Sequence, residues 1–123
     1  MAGIGLIADE QFCYLTTIGR RTGRPHTIEI WFGAEPGGHT IYMLAGGGHD
    51  ADWVKNIGAH PKIQARIAGK TFGGVGRVVV QPEEERLARR LVVAKYYGRN
   101  AVRSSGWEAE ALPVAIDLQL DRA

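Results

Sequence analysis

The residues most able to do chemistry are concentrated in the stretch TTIGRRTGRPH, residues 16–26, which places three arginines and a histidine around two glycines. Arginine carries a planar fork of donors that matches phosphate or carboxylate oxygens, and glycines let a tight turn present its backbone N–H groups. The stretch therefore predicts an anion site, with a solvated basic turn as the alternative. It is not a P-loop, because it lacks the Gly-Lys-Ser/Thr ending and no helix follows. The candidate residues are Thr17, Gly19, Arg20, Arg21, Thr22, Gly23 and Arg24.

A second candidate is the segment LAGGGHDADWVKNI, residues 44–57. Three glycines between a predicted strand and a predicted helix let a flat group approach the backbone closely. Asp50 is the predicted N-cap of that helix, and Gly58 is its predicted C′ residue. The amides of a helix N-terminus attract negative charge. The alternative is a flexible loop in which Trp53 anchors the core.

Other reactive side chains give little support for catalysis by protein groups. The four histidines follow no zinc spacing, so no metal site is predicted. The single cysteine, Cys13, lies in an apolar run that is typical of the core. No Ser-His-Asp or Cys-His arrangement stands out. Tyr96 and Tyr97 end a predicted helix and are most simply packing residues, although a phenol there could reach a ligand.

The overall composition excludes several classes of function. The net charge is +2 with a pI near 8.9, which is too small an imbalance to indicate nucleic-acid binding. No apolar run approaches the roughly 18 residues of a membrane span. The N-terminus lacks the basic region of a signal peptide, so a cytoplasmic location is the default expectation.

The hydrophobic patterns predict the order β-β-β-α-β-β-α-β within one domain, residues 1–123. Residues 62–69 alternate with period two, and residues 82–98 carry a helical stripe of Leu87, Leu91 and Ala94. Pro82 suits the first position of this second helix. Five or six strands with glycine-rich bends and only two helices indicate a small, mainly β (α+β), mostly antiparallel barrel.

Two motifs together, LTTIGRRTGRPHTIEIWF and GGGHDADWVKNI, followed by ARIAGKTF, resemble the deazaflavin (F420)-dependent nitroreductase family, a relative of the pyridoxamine-5′-phosphate oxidases. The resemblance covers roughly residues 12–96, and the last strand, LPVAIDL, fits as well. It implies a split β-barrel like those of FMN-binding proteins. It also implies the cofactor F420, which carries a phosphodiester and an oligoglutamate tail.

The same resemblance implies where the cofactor lies. The arginine turn would hold the phosphate and the acidic tail, the 45–48 loop would lie against the deazaflavin ring, and Trp53 with Asn56 would support that loop or line the groove. The implied cofactor-binding residues are Thr17, Gly19, Arg20, Arg21, Thr22, Gly23, Arg24, His26, Ala45, Gly46, Gly47, Gly48, Trp53 and Asn56.

The implied reaction is hydride transfer from reduced F420 to an electron-poor small molecule, such as an activated alkene, a quinone or a nitro compound. The cofactor carries the chemistry. Tyr96 or Tyr97 is the candidate proton donor, and Trp31 is expected to face the substrate pocket. The alternatives are an FMN-dependent enzyme of the same fold and a non-catalytic carrier of F420, a fatty acid or haem. We expect a homodimer and no nucleic-acid partner.

Overall fold

In the part of the chain that the structure describes, seven strands form one curled antiparallel sheet. The computed structural model describes residues 7–98 and 106–120, so the limits of the predicted domain, residues 1 and 123, lie outside the described residues. The strands are β1 (Cys13–Ile18), β2 (Pro25–Ile30), β3 (Gly33–Ala34), β4 (Thr40–Ala45), β5 (Lys62–Ile67), β6 (Lys70–Val78) and β7 (Leu112–Gln119).

The strand order across the sheet is β2-β1-β5-β6-β7-β4-β3, and every pair is antiparallel. Within the described residues, the edge strands β2 and β3 do not pair with each other, so the sheet curls without closing. This is the architecture of a split barrel, and the predicted fold class is confirmed. The two-residue β3 and a one-turn helix near the C-terminus are additions to the predicted order.

Among the described residues, three α-helices accompany the sheet: α1 (Asp52–Ala59), α2 (Pro82–Tyr97) and the one-turn α3 (Trp107–Glu110). The main core lies inside the curl, where α1 contributes Val54 and Ile57. Cys13 is fully buried in this core, and burial raises the pKa of its thiol to about 12. On the other side of the sheet, α2 packs over β4 and β7 through Ala88 and its neighbours.

The seat of α1 depends on a glycine in β6. A Cβ atom at Gly76 would lie only 2.9 Å from Cδ1 of Ile57, so the glycine lets the helix pack closely against the strand. Because α1 also carries residues of the candidate site, this close approach sets the position of that site relative to the sheet.

The start of α2 is fixed to the sheet by a charged network. Arg77 on β6 forms two bonds of 2.8 Å with the carboxylate of Glu84, and its Nε bonds Asp117 on β7 at 2.9 Å. The hydroxyl of Tyr42 donates to Glu84 at 2.8 Å. These contacts hold the pKa of Glu84 and of Asp117 below their usual values, chiefly through Arg77.

The predicted ends of α1 were wrong. Asp50 lies in a 3-10 turn, Gly48–Asp50, and the N-cap of α1 is Ala51, which makes no side-chain capping bond. Gly58 is inside the helix, and the C-cap is His60. Pro61 excludes a further turn of helix, so the chain reaches β5 without the glycine-based ending that Gly58 suggested.

The inward face of α2 is displaced from the predicted stripe. Its buried residues are Ala88, Val92 and Val93, whereas Leu87 and Leu91 pack only partly buried beside them. Pro82 occupies the predicted first position of the helix. β7 is buried on both faces over much of its length, because α2 covers the side opposite the main core.

Candidate anion-binding and redox site

The arginine turn is a closed loop between β1 and β2. The N–H of Gly19 donates to the carbonyl of Arg24, and the N–H of Gly23 donates to the carbonyl of Gly19, both at 2.8 Å. Thr22 Oγ1 accepts a bond from the N–H of Arg24 at 3.1 Å. Gly23 has a φ of +72°, a conformation that glycine adopts without steric cost. Backbone bonds therefore fix the shape of the turn before any ligand binds.

Gly19 lets two side chains close over the base of the turn. A Cβ atom there would lie 2.8 Å from both His26 Nε2 and Thr22 Oγ1. Gly19 is itself buried, while His26 and Thr22 are exposed. The turn consequently presents an imidazole and a hydroxyl at the same mouth as the arginines.

Asn56 on α1 is the buried centre that joins the turn to the helix and to β1. Its Oδ1 accepts from the backbone N–H of Arg20 at 3.1 Å and from Nη1 of Arg20 at 2.9 Å. Its Nδ2 donates to Thr17 Oγ1 at 3.2 Å. Asn56 is 4% exposed and Thr17 is 1% exposed. Both therefore act here as supports for the turn, and Asn56 also lines the cavity beside it.

The guanidinium of Arg20 is largely committed to α1. Besides Asn56, it bonds the backbone carbonyl of Asp52 at 3.4 Å and the Asp52 carboxylate at 3.2 Å. The Arg20 side chain is 22% exposed, whereas that of Asp52 is 87% exposed. Arg20 thus locks the turn to the helix and compensates the charge of Asp52.

Arg21 and Arg24 are exposed and, within the described part of the chain, their guanidinium groups have no protein partner. Arg21 borders a cavity of about 450 Å³ between the turn, β2 and α1. Because Arg20 is paired with Asp52, Arg21 supplies the uncompensated arginine charge at this cavity. The cavity is lined by Thr17, Gly19, Arg20, Arg21, Thr22, His26, Thr27, Ile28, Asp52, Trp53 and Asn56.

The glycine loop that precedes α1 presents open backbone. Gly46 and Gly47 are exposed, and Gly48 adopts a φ of +63°. Ala45, by contrast, is 1% exposed and belongs to the main core, so its side chain offers no surface to a ligand. The sheet register pairs Ala45 with Leu112, so any contact with a ring at this residue would be made by its backbone, and its place in the ring-facing loop stays a prediction.

Four aromatic rings gather near this loop. Trp31 stacks on Tyr96 with a centroid distance of 4.1 Å and an interplanar angle of 1°. Tyr97 and Trp107 each lie 6.2 Å from Trp31, the first at 71° and the second at 58°. Trp31 therefore lies within an aromatic cluster, at the opposite end of β2 from the arginine turn.

The hydroxyl of Tyr96, one of the two predicted proton donors, is held by backbone groups. Its hydroxyl donates to the carbonyl of Gln11 at 2.6 Å and accepts from the N–H of Phe32 at 3.0 Å. Burial raises the pKa of Tyr96, which makes it a weaker acid. Lys95 bonds the carbonyls of Glu10 and Phe32 at 2.6 and 3.0 Å. Together they tie α2 to the chain before β1 and after β2.

Sequence reasoning missed four residues around these features. Asp52 could have been suspected from its place in the first turn of α1, and Thr27 and Ile28 from the alternation of β2. Trp107 carried no comparable signal, because it lies in a segment without periodicity. Its indole N–H donates to the Tyr97 hydroxyl at 3.2 Å.

The described residues contain no group of three or more histidine, cysteine or acidic residues placed to hold a metal ion. No helix among them has the length and apolar character needed to cross a membrane.

Comparisons with known proteins agree with this fold. A family model described as F420H(2)-dependent quinone reductase matches residues 3–119. An F420-H2 dependent reductase of known structure is 21% identical, with a TM-score of 0.65, over 88% of this chain and 93% of that one. A putative pyridoxamine 5′-phosphate oxidase from Listeria innocua is 10% identical, with a TM-score of 0.69, over 95% and 90%. A domain-swapped dimer is 21% identical, with a TM-score of 0.66, over 88% and 79%.

Proposed function

We propose a substrate class and a set of cofactor contacts from one premise: the chain belongs to the F420H(2)-dependent quinone reductase family. It is accordingly an F420-dependent oxidoreductase, as the sequence resemblance predicted. We propose that its acceptor is an electron-poor small molecule and, in first place, a quinone. One observation supports the proposed cofactor contacts. The uncompensated Arg21 lies at the mouth of a cavity that Asn56 also lines, and Asn56 bonds Arg20 of the same turn.

The residues of this cavity fit the anionic part of F420. Its phosphodiester and oligoglutamate tail need fixed positive charge. Arg21 offers it at the cavity, and Arg24 offers it from outside the cavity lining on the same turn, which its own backbone bonds already close. A charge-assisted hydrogen bond contributes about 1.5–3 kcal/mol. We infer that Arg21 and Arg24 bind these anionic groups, while Arg20 positions them by anchoring the turn to α1.

We place the deazaflavin ring against the exposed backbone of Gly46 and Gly47. Side chains there would occupy the space that a flat ring needs, and the indole of Trp107 lies beside Gly46 on one side. Reduced F420 supplies a hydride and a proton, which together reduce a quinone to its hydroquinone. The protein binds and orients both partners. Since the Tyr96 hydroxyl is held by backbone groups, we infer that Tyr96 takes no part in delivering that proton.

We also propose that the chain forms a homodimer. The likeness to a domain-swapped dimer of 21% identity supports this proposal, and the molar mass in solution tests it. A cytoplasmic location stays a prediction from the sequence.

The test of the cofactor contacts is a fluorescence titration of purified protein with F420. We expect Arg21→Ala to weaken F420 binding by at least about tenfold, which corresponds to the loss of about 1.5 kcal/mol of charge-assisted bonding. Lys70→Ala is the matched control, because Lys70 is an exposed cation at the start of β6, outside the arginine turn. Equal F420 affinities for the two variants would show that the arginine turn is a solvated loop that does not bind the cofactor. FMN measured in parallel should bind more weakly than F420.

A further inference from the structure

Trp107 is held at a defined position although its helix is only one turn long. The carbonyl of Ala111, the residue that ends α3, accepts a bond of 2.7 Å from Nη1 of Arg89 on α2. Ala111 is 2% exposed and packs with Leu44 and Val92. At the start of the helix, Gly106 adopts a φ of +102°. These contacts fix α3 between α2 and the end of β4.

The position of Trp107 brings its ring to the glycine loop. A Cβ atom at Gly46 would lie 4.0 Å from Cε3 of Trp107, which is ordinary van der Waals contact. On another side, the indole lies 6.2 Å from Trp31 and donates its N–H to the Tyr97 hydroxyl. Trp107 thus bridges the proposed ring-binding loop and the aromatic cluster.

The chemistry of this arrangement favours a flat aromatic ligand. Trp107 is 44% exposed and Tyr97 is 37% exposed, so both rings retain accessible surface. The bond to Tyr97 satisfies the one polar group of the indole, and its remaining surface is suited to stacking and edge contacts. A non-aromatic acceptor of similar polarity gains much less from such a wall, because it has no π-face to offer.

We propose that Trp107, together with Trp31 and Tyr97, forms the acceptor-side wall of the site and selects planar aromatic acceptors over small aliphatic ones. This inference rests on the proposed placement of the deazaflavin ring against Gly46. Trp107 acts as a specificity-determining residue: it takes no part in electron or proton transfer.

The experiment compares two acceptors, 1,4-naphthoquinone and cyclohex-2-enone, each with reduced F420 as donor. In Trp107→Ala, the ratio of kcat/KM for naphthoquinone to that for cyclohexenone should fall about tenfold, mainly through a higher KM for the quinone. Trp107→Phe should keep most of the ratio, because it retains an aromatic ring. The matched control is Val80→Ala, which shortens a side chain that is 78% exposed and lies outside the cluster.

An unchanged ratio in Trp107→Ala overturns the proposal, as does an equal fall in Val80→Ala. If the wild-type protein reduces neither acceptor, the proposed function fails and the ring site is tested by itself. Equilibrium dialysis of 1,4-naphthoquinone, followed by its absorbance, then compares wild type with Trp107→Ala. Weaker naphthoquinone binding by the variant supports the proposed aromatic wall, and equal binding refutes it.

Discussion

Replacing Asn56 by leucine tests whether one buried amide holds the arginine turn in place. Leucine is similar in size but accepts and donates no hydrogen bonds, so it removes three contacts at once: two from Arg20 and one to Thr17. The backbone N–H of Arg20 loses its partner. So does the hydroxyl of Thr17, which is 1% exposed.

The structure sets the size of the expected effect. The two neutral bonds contribute about 1 kcal/mol each, and the bond from the Arg20 guanidinium contributes about 1.5–3 kcal/mol. Asn56 borders a cavity, so water replaces part of this, and we expect a loss of about 3 kcal/mol. An unfolding entropy of about 2.1 cal/mol/K per residue converts that loss to a fall in Tm of about 12 °C for 123 residues.

The assay is thermal unfolding followed by circular dichroism, together with the F420 titration at a temperature where the variant is folded. We expect weaker F420 binding, because Arg21 loses the support of the turn. Asn56→Asp keeps both acceptor contacts with Arg20 and should lie between wild type and leucine. Lys55→Ala, an exposed change on the same helix, controls for helix propensity. A leucine variant that melts with wild type would refute the idea that Asn56 carries the turn.

The remaining predictions concern the packing of α1 on β6 and the half-buried amine of Lys95. Gly76→Val should destabilise the fold by about 1–3 kcal/mol and weaken F420 binding, because the added side chain presses on Ile57. Gly58→Ala is the control and should have neither effect, because the space around Gly58 is open. Denaturant unfolding measures the stability of both variants. Burial lowers the pKa of Lys95 from 10.5 to about 8. Its contribution to the free energy of unfolding should rise between pH 8 and 10.5, where the unfolded chain still holds the proton. Lys95→Met should remove that rise, and identical pH profiles would contradict it.

The regular elements could be predicted because their signals are local. The alternation of β5 placed Ile63, Ala65 and Ile67 inward, as observed. The failures came where tertiary contacts override local preference. Gly58 looked like a helix ending, yet the helix continues to Ala59 and stops before Pro61, while Ile57 packs against Gly76 of β6. The buried face of α2 is set by its packing against β4 and β7, and the periodicity of the helix sequence does not specify that packing.

The candidate site divides in the same way. The arginine turn was recognisable because its residue types and glycines stand together in the sequence. The division of labour within it was not, since only the fold brings Asp52 and Asn56 to Arg20 and leaves Arg21 uncompensated. Trp107 could not be predicted, because its neighbours Gly46 and Trp31 are distant in the chain.

The burial of Cys13 matters for an enzyme that handles quinones. Quinones are electrophiles that add to thiolates, and a protein that binds them repeatedly risks arylation of its own cysteines. The chain has a single cysteine. Its side chain is inaccessible, and its pKa of about 12 leaves very little thiolate at neutral pH. The fold therefore shields its one soft nucleophile from the reagents that the proposed reaction brings to its surface.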